Sequence, residues 1–175
     1  PTPSDVTAYD IVNAWSEENL ATIIYGYGQE RFSRRIAKAI VKSREEKKIE
    51  STFDLVKIIE ASVPRQYKRG HAGGRASRIH CATKTFQALR MAVNDELGAL
   101  KEGLDKGFKF LKKGGRMSVI SFHSLEDRIV KKFYQAKAKE GKAKLINKKV
   151  ILASALEIKQ NPRARSAKLR ILSRC

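Results

Sequence analysis

Acidic residues are scarce in this sequence of 175 residues, where 18 Asp and Glu stand against 37 Lys and Arg. The resulting net charge of +19 favours a polyanionic partner, either nucleic acid, which is the commonest, or an anionic membrane surface. An apolar share of 42% excludes a disordered basic tail. The composition therefore predicts a folded and strongly basic protein.

Cysteine and long apolar runs are scarce as well. Cys81 and Cys175 lie far apart and form no C-x-x-C pair, which excludes a disulfide framework and a zinc knuckle, and no metal site is expected. No run approaches the roughly 18 apolar residues of a membrane span, and no signal peptide is visible. We therefore expect a cytoplasmic protein that does not insert into membranes.

The cations concentrate in two segments without acids. Residues 65–90 contain seven Lys or Arg, two His and a Gly-rich loop over 65–78, and residues 159–174 contain six more cations. Clustered cations release counterions from a phosphate backbone, so both segments are candidates for phosphate contacts, whereas general solubility explains any single Lys. The pair Gly73-Gly74 follows a helix rather than a strand and is a weak phosphate cradle.

Helix signals fill the first half of the chain. Thr7 and Ser16 have the side chains of N-caps, and Thr52 is expected to cap a short helix that ends at Ser62. Residues 29–48 place apolar side chains on one helical face and cations on the other. One face of that helix is therefore expected to pack and the other to stay cationic.

The pattern changes in the middle of the chain. Apolar residues spaced by three and four over 83–111 predict one long helix, bent or broken near its end by three glycines. Residues 117–122 form an apolar and β-branched run, typical of a strand buried on both faces of a parallel sheet. Ser124 and Asp127 have the spacing of a capping box and open a helix that reaches about residue 139.

Two more strands and a short helix are expected at the end of the chain. Residues 145–152 and 168–174 are predicted strands, and Ser154 with Glu157 is expected to cap a helix between them. Three strands are fewer than the roughly four to six of a typical sheet. The second half is therefore predicted to be part of an α/β domain whose remaining strands come from elsewhere.

Residues 121–128 leave a predicted strand and enter a helix, and open α/β sheets bind ligands at such strand ends. His123, Glu126 and Asp127 are candidate acids or bases there. Capping explains Ser124 and Asp127 without catalysis, and solvated pairing explains Glu126. Neither a nucleotide-binding glycine loop nor a Ser-His-Asp order is present. The residues alone thus predict an RNA- or DNA-binding α/β fragment.

Four blocks carry a resemblance to a known family: YGQERFSRRIAKAIV over 27–41, TKTFQALRMAVNDELG over 83–98, SFHSLEDRIVK over 121–131 and NPRARSAKLR over 161–170. In this order they resemble the bacterial ribosomal RNA small subunit methyltransferase H family. Together the four blocks span nearly all of the chain. Members of that family methylate the exocyclic 4-amino group of a cytidine in 16S ribosomal RNA, using S-adenosyl-L-methionine (S-adenosylmethionine).

The resemblance implies an α/β fold, the C-terminal half of a class I (Rossmann-like) methyltransferase domain preceded by an all-α insertion domain. Residues 1–80 would form the insertion and residues 81–175 the C-terminal part of the α/β domain, with an antiparallel last strand. The family's glycine-rich turn and acidic residue that hold S-adenosylmethionine precede the position matching Pro1. We therefore expect a fragment without cofactor-binding residues, catalytically incomplete by itself, with most of the cofactor site outside it.

The resemblance also implies an RNA site. The turn after residue 121 would border the target base, with Phe122 or His123 stacking or hydrogen bonding, and the basic turn before the last strand would contact phosphate. The predicted RNA-contacting residues are Ser121, Phe122, His123, Ser124, Glu126, Asp127, Arg128, Asn161, Arg163, Arg165 and Ser166. No catalytic role is assigned among them.

The implied partner is 16S ribosomal RNA or the small ribosomal subunit. A non-catalytic basic RNA-binding module is the alternative, because the charge explains binding without methyl transfer. A homodimer formed through an exposed sheet edge is also left open.

Overall fold

The computed structural model describes residues 6–68 and 80–175, which belong to two compact units, Pro1–Glu96 and Leu97–Cys175. In its described residues the first, the helical unit, contains only helices, and the second, the sheet unit, combines helices with a small antiparallel sheet. Most of the predicted basic loop, including Gly73 and Gly74, lies outside the described residues. No helix in the described ranges has both the length and the apolar character needed to cross a membrane.

The helical unit consists of α1 (Ala8–Ala14), α2 (Glu17–Gly26), α3 (Ser33–Glu46), α4 (Thr52–Ser62), α5 (Arg65–Lys68) and α6 (Thr83–Val93). The predicted N-caps Thr7 and Ser16 are confirmed, because each side chain accepts a hydrogen bond from the third amide of its helix. The predicted cap of α4 is wrong by one residue. Ser51 rather than Thr52 is the N-cap, and it exchanges hydrogen bonds with Asp54 in a capping box.

The core of the helical unit is aliphatic. Its largest fully buried aliphatic side chains are Ile11, Leu20, Ile24, Ile36, Ile40 and Ile59. They come from α1 to α4, and each stabilises the fold by roughly 1.5–3 kcal/mol. Gly28 allows α6 to approach the end of α2, because a Cβ at this position would lie 2.5 Å from the carbonyl oxygen of Lys84 and 2.7 Å from that of Ile24.

The prediction of one continuous helix over 83–111 is wrong, because the structure has two helices there. A new helix, α7 (Glu96–Phe110), starts after Asp95, whose φ of 42° lies in the left-handed region. The Arg90 guanidinium binds the Glu96 carboxylate across this break through two hydrogen bonds of 2.7 and 3.1 Å. The three glycines that were expected to bend the helix lie inside α7. The apolar spacing continues on both sides of the break and therefore does not reveal it.

The sheet unit adds α8 (Ser124–Lys139), α9 (Ala155–Gln160) and the strands β1 (Arg116–Ser121), β2 (Ala143–Leu145), β3 (Ile151–Leu152) and β4 (Lys168–Arg174). β4 is central, with β1 along one side and β2 and β3 along the other, all antiparallel to it. The predicted last strand is thereby confirmed, and it is antiparallel as expected. The helix predicted after Ser154 is confirmed as α9, with Ser154 as its N-cap.

Two strand predictions are wrong. β1 is not buried on both faces: Met117 and Val119 pack in the core, whereas Ile120 on the other face is 59% exposed. The expectation of two buried faces assumed a parallel sheet, whereas β1 pairs with an antiparallel strand. Among the described residues, no second layer covers the other face of β1. The strand predicted over 145–152 is split into β2 and β3. Asn147 lies in the gap, where its Oδ1 accepts a hydrogen bond of 2.7 Å from the Ile171 amide of β4.

The core of the sheet unit joins one side of each long helix to the inner face of the sheet, through Leu104, Phe108, Val130, Tyr134, Ala143 and Leu172. The Tyr134 hydroxyl donates to the Met117 carbonyl at 3.0 Å, and burial raises the pKa of Tyr134. Arg174 donates from Nη1 to three carbonyl oxygens at the C-terminal end of α7, over distances between 2.5 and 3.1 Å. These bonds fix α8 and α7 to the sheet.

Candidate functional site

The end of β1 and the start of β4 lie side by side, because the antiparallel register pairs Ser121 with Lys168. β3 ends next to them, since Leu152 also pairs with Lys168. The turn after β1 and the turn before β4 therefore meet at one end of the sheet. The predicted site residues lie in these two turns, at the end of β1 or at the start of α8, and we call residues 121–128 and 161–168 the strand-end surface.

A capping box at the start of α8 fixes the turn after β1. His123 Nδ1 accepts a hydrogen bond from the Glu126 amide at 3.4 Å. Glu126 Oε2 in turn accepts from the amides of Phe122 and His123 at 2.9 and 3.3 Å. The predicted capping box of Ser124 and Asp127 is wrong by one residue, because an imidazole nitrogen takes the place of the expected hydroxyl.

The same cap sets the tautomer of His123. Because Nδ1 accepts a hydrogen bond, the neutral imidazole carries its hydrogen on Nε2. Nε2 is buried and lies 3.3 Å from Glu126 Oε1 without the geometry of a hydrogen bond, and it has no other hydrogen-bond partner among the described residues. Burial of Nε2 disfavours the predicted acid or base role of His123 and favours a role in holding the turn.

Asp127 forms a two-pronged ion pair with Arg170 of β4. Arg170 Nε and Nη2 donate to the two carboxylate oxygens at 2.6 and 3.1 Å. The Asp127 side chain is only 16% exposed and the Arg170 side chain only 11%. The hydrogen bonds from Arg170 hold the pKa of Asp127 below its ordinary value. Asp127 is therefore ionised and engaged at neutral pH, which disfavours the predicted acid or base role and ties α8 to the sheet.

The turn before β4 presents cations to solvent. It is a short 3₁₀ helix over Pro162–Ser166, in which the Asn161 side chain accepts a hydrogen bond of 3.2 Å from the Arg163 amide and Ala164 is buried. The Arg163 and Arg165 side chains are exposed, and neither makes a hydrogen bond or an ion pair with another described residue. The backbone is fixed while the two charges stay available to an anion.

The remaining predicted residues divide by burial. Ser121 is buried at the end of β1, so its side chain is shielded from a ligand on the surface. Ser124 and Arg128 are exposed on the first turns of α8, and Arg128 has no ion pair within the described residues. Ser166 is exposed at the end of the 3₁₀ helix. The side chains that a ligand can reach are therefore mainly those of cations and hydroxyls.

Phe122, a predicted stacking residue, is 53% exposed, but sequence reasoning missed the exposure of Ile120, Leu152 and Leu156, which is even larger. Exposed apolar groups of this size occur at binding or assembly surfaces. Their signal in the sequence is weak, because apolar residues in and beside strands normally predict burial.

Comparisons with known proteins cover almost the whole chain. A model of the MraW methylase family matches residues 2–175. Proteins named "Ribosomal RNA small subunit methyltransferase H" are 49% identical over 169 residues in Coprothermobacter proteolyticus and 48% identical over 168 residues in Persephonella marina. The protein of that name from Synechococcus elongatus is 50% identical over 171 residues.

These alignments differ in how much of each partner they cover. They include 97%, 96% and 98% of this chain but only 53%, 55% and 53% of the respective relatives. The chain thus spans about half the length of the curated relatives it matches. With its matched residues extending over nearly its full length, the chain belongs to the MraW methylase family.

Proposed function

We propose that this chain is the C-terminal part of an S-adenosylmethionine-dependent methyltransferase that acts on the exocyclic 4-amino group of a cytidine in 16S ribosomal RNA. Family membership and the names of the relatives support the reaction class. The observation that carries the proposal is that an exposed aromatic ring, Phe122, and two exposed arginines, Arg163 and Arg165, lie in the two turns that the pairing of Ser121 with Lys168 brings to one end of the sheet. Rings and cations in combination bind unstacked nucleotides.

The sheet unit fits the C-terminal part of a Rossmann-like domain. The long side of β1 that faces away from β4 has no strand partner among the described residues. The outer face of the sheet exposes Ile120 and Ile151, which both pair with Leu169 of β4. Further strands and helices in the complete enzyme would pair with this side and cover this face. Helices α1 to α5 would then belong to the all-α insertion over residues 1–80, and α6 to the methyltransferase part that starts at residue 81.

The strand-end surface does not fit the cofactor. Both of its carboxylates are engaged, Glu126 in the cap and Asp127 with Arg170, so neither is free to bind ribose hydroxyl groups. The described residues therefore position RNA, and the methyl donor is held elsewhere in the complete enzyme.

Positioning is the main contribution expected from these residues. The amine of cytosine is a poor nucleophile because its lone pair is delocalised into the ring, so alignment with the methyl donor supplies much of the rate. The base must leave its stack to reach an active site. In this proposal the Phe122 ring stacks on the displaced base, and Arg163 and Arg165 hold flanking phosphates. The capping box and the Asp127 ion pair keep these groups in place.

Charge reversal tests the proposal in the complete gene product. R163E/R165E is expected to lower the methylation of small ribosomal subunits by at least about tenfold, because two phosphate contacts become repulsive. Tritium transfer from labelled S-adenosylmethionine measures the rate. K112E/K113E, at exposed positions before β1, is the control with the same change in charge. Equal rates for both variants and the parent would exclude the proposed contact.

A non-catalytic RNA-binding module is the second candidate, favoured by the net charge of +19, which explains binding without methyl transfer. It predicts salt-sensitive binding of RNA by the 175-residue chain and no methylation by the complete gene product. Methyl transfer by the complete product excludes it. We also expect no micromolar binding of S-adenosylmethionine by the 175-residue chain, which titration calorimetry measures.

A further inference from the structure

The helical unit contains an open cleft of about 760 Å³ between α2 and the start of α3, together with the turn before α3. This volume lies within the range of small-ligand sites, roughly 300–1,000 Å³. One wall is a stripe of α2 that includes Thr22 and Tyr25, and the other is formed by residues 31–35. None of the residues predicted to contact RNA at the strand-end surface lies here.

Three arginines line the second wall. Arg31, Arg34 and Arg35 are exposed, and none of them makes a hydrogen bond or an ion pair with another described residue. Within five residues of sequence they bring three positive charges to one wall without a carboxylate partner. A phosphate group neutralises such a cluster and accepts the forked hydrogen bonds that a guanidinium donates.

A buried carboxylate holds the arginine wall in place. Glu30 is fully buried, and its oxygens accept hydrogen bonds from the Phe32 amide at 2.9 Å and from the Tyr67 hydroxyl. Lys84 Nζ lies 3.9 Å from the same carboxylate. The Phe32 and Tyr67 rings meet edge to face, and the Arg31 guanidinium lies over both. The wall is therefore ordered before any ligand binds, which lowers the entropy cost of binding.

Tyr25 gives the cleft an aromatic platform. Its ring is 67% exposed on the last turn of α2 and lines the cleft together with the arginines. Sites for single-stranded nucleic acid combine such rings, on which bases stack, with cations that contact the backbone. Glu17 and Glu18 line the cleft as well, without pairing with the arginines. Their carboxylates repel phosphate and accept hydrogen bonds from ribose hydroxyl or base amino groups, which favours one orientation of a nucleotide.

We infer that this cleft is a second RNA site, which binds an unpaired nucleotide by stacking on Tyr25 and by phosphate contacts to Arg31, Arg34 and Arg35. The inference rests on the proposed RNA substrate and extends it to the helical unit. An isolated phosphate or a lipid headgroup uses the arginines and gains nothing from the ring. The ring therefore distinguishes a nucleotide from other anions.

Fluorescence anisotropy of the 175-residue chain tests the site with a labelled single-stranded 12-nucleotide oligocytidine and a 12-base-pair RNA duplex. Y25A is expected to weaken binding of the single strand about tenfold, because a stacked base is lost, and to leave the duplex nearly unaffected. Y25F keeps a ring and is expected to bind like the parent. Equal affinities of Y25A and the parent for the single strand, or equal losses for strand and duplex, would overturn the assignment.

The arginines are tested by the salt dependence of the same binding reaction. Affinity falls with salt, and each lost phosphate contact makes the slope of log affinity against log salt less steep by about 0.7 on a single strand. R34A/R35A is therefore expected to make this slope less steep by about 1.4. The control K48A/K57A removes two exposed cations of the same unit outside the cleft and is expected to keep a steeper slope. Identical slopes for the two double variants would contradict the proposed contacts. Circular dichroism confirms that each variant is folded.

Two further measurements separate this inference from its rivals. Binding to phosphatidylglycerol vesicles that weakens in Y25A as much as RNA binding does would overturn the nucleotide assignment. R163E/R165E distinguishes the two sites: if it abolishes methylation while the cleft variants bind RNA normally, this inference fails and the proposed function stands. If the cleft variants weaken binding and R163E/R165E methylates normally, the cleft stands and the contact at the strand-end surface fails.

Discussion

The helical unit and the sheet unit fix their surface charges in opposite ways. In the helical unit the organising group is an acid: Glu30 is buried and orders a turn whose arginines form no ion pair with another described residue. In the sheet unit the organising groups are arginines, since Arg170 binds Asp127 and Arg174 binds the end of α7. A chain with 37 basic residues thus uses a few charges to hold its architecture and presents others to solvent. Burial and partners, rather than residue type, separate the two groups.

The largest expected effect is the loss of the buried acid. E30A leaves the Phe32 amide and the Tyr67 hydroxyl without their acceptor in the protein interior. We expect the free energy of unfolding of the 175-residue chain to fall by about 3 kcal/mol in urea titrations. E46A, which removes an exposed Glu of α3, is the control and is expected to change it by less than about 0.5 kcal/mol. Equal effects of the two variants would show that Glu30 does not organise the turn.

The Asp127–Arg170 pair is expected to have the next largest effect. D127A strands a largely buried guanidinium and is expected to lower the free energy of unfolding by about 2 kcal/mol. D127A/R170A is expected to cost less than the sum of the two single changes, because the pair couples them. Urea titrations of the four proteins measure the coupling. Strict additivity would contradict an organising role for this ion pair.

The same pair predicts a pH dependence. Hydrogen bonds from Arg170 hold the pKa of Asp127 below its ordinary value of 3.8, so folding favours the ionised form. The stabilisation is complete above that ordinary value and is lost as the pH falls through the lower value of the folded state. The stability difference between the parent and D127N should therefore be constant from neutral pH to about pH 4 and shrink in stronger acid. A difference that grows in acid would refute this assignment.

Arg174 is expected to have a smaller effect. R174A removes the donor to three carbonyl oxygens at the end of α7, which then turn to water. We expect a loss of about 1 kcal/mol in the free energy of unfolding. R116A, which removes an exposed arginine at the start of β1, is the matched control. A loss no larger than that of the control would remove Arg174 from the organising group.

The smallest effects on stability are expected from the unengaged arginines. R34A/R35A and R163A/R165A are expected to change the free energy of unfolding by less than about 0.5 kcal/mol per residue, because exposed side chains without a hydrogen bond or an ion pair contribute little. Both should weaken RNA binding in the anisotropy assay. Variants that lose stability and keep RNA affinity would reverse the division between organising and presented charges.

Local signals in the sequence predicted local structure well. Thr7, Ser16 and Ser154 are caps because the oxygen of a short hydroxyl side chain accepts a hydrogen bond from an amide of the first helical turn. The apolar spacing did not predict the break at Asp95, because it reports which side chains are buried and not the left-handed backbone conformation of one residue. It did not predict the exposure of Ile120 either. The burial of a strand residue depends on the layers that cover the sheet, and the antiparallel pairing of β1 with β4 is known only from the structure.

The candidate site was predictable only in its parts. The strand-to-helix turn and the basic turn before β4 were both recognisable, but their meeting depends on the register that pairs Ser121 with Lys168. The ion pair between Asp127 and Arg170 joins residues 43 positions apart and has no local signal. His123 is an uncommon N-cap, so the hydroxyl of Ser124 was the better prediction on propensity alone.

Ultraviolet crosslinking of the 175-residue chain to small-subunit ribosomal RNA, with the adducts located by mass spectrometry, tests the central claim most directly. That claim is that RNA binds at surfaces that combine an exposed ring with arginines that form no ion pair. Adducts are expected on peptides that contain Phe122 or Tyr25, and to disappear from each peptide in F122A or Y25A. Adducts confined to peptides without either ring, such as those from residues 44–62 or 97–113, would contradict it.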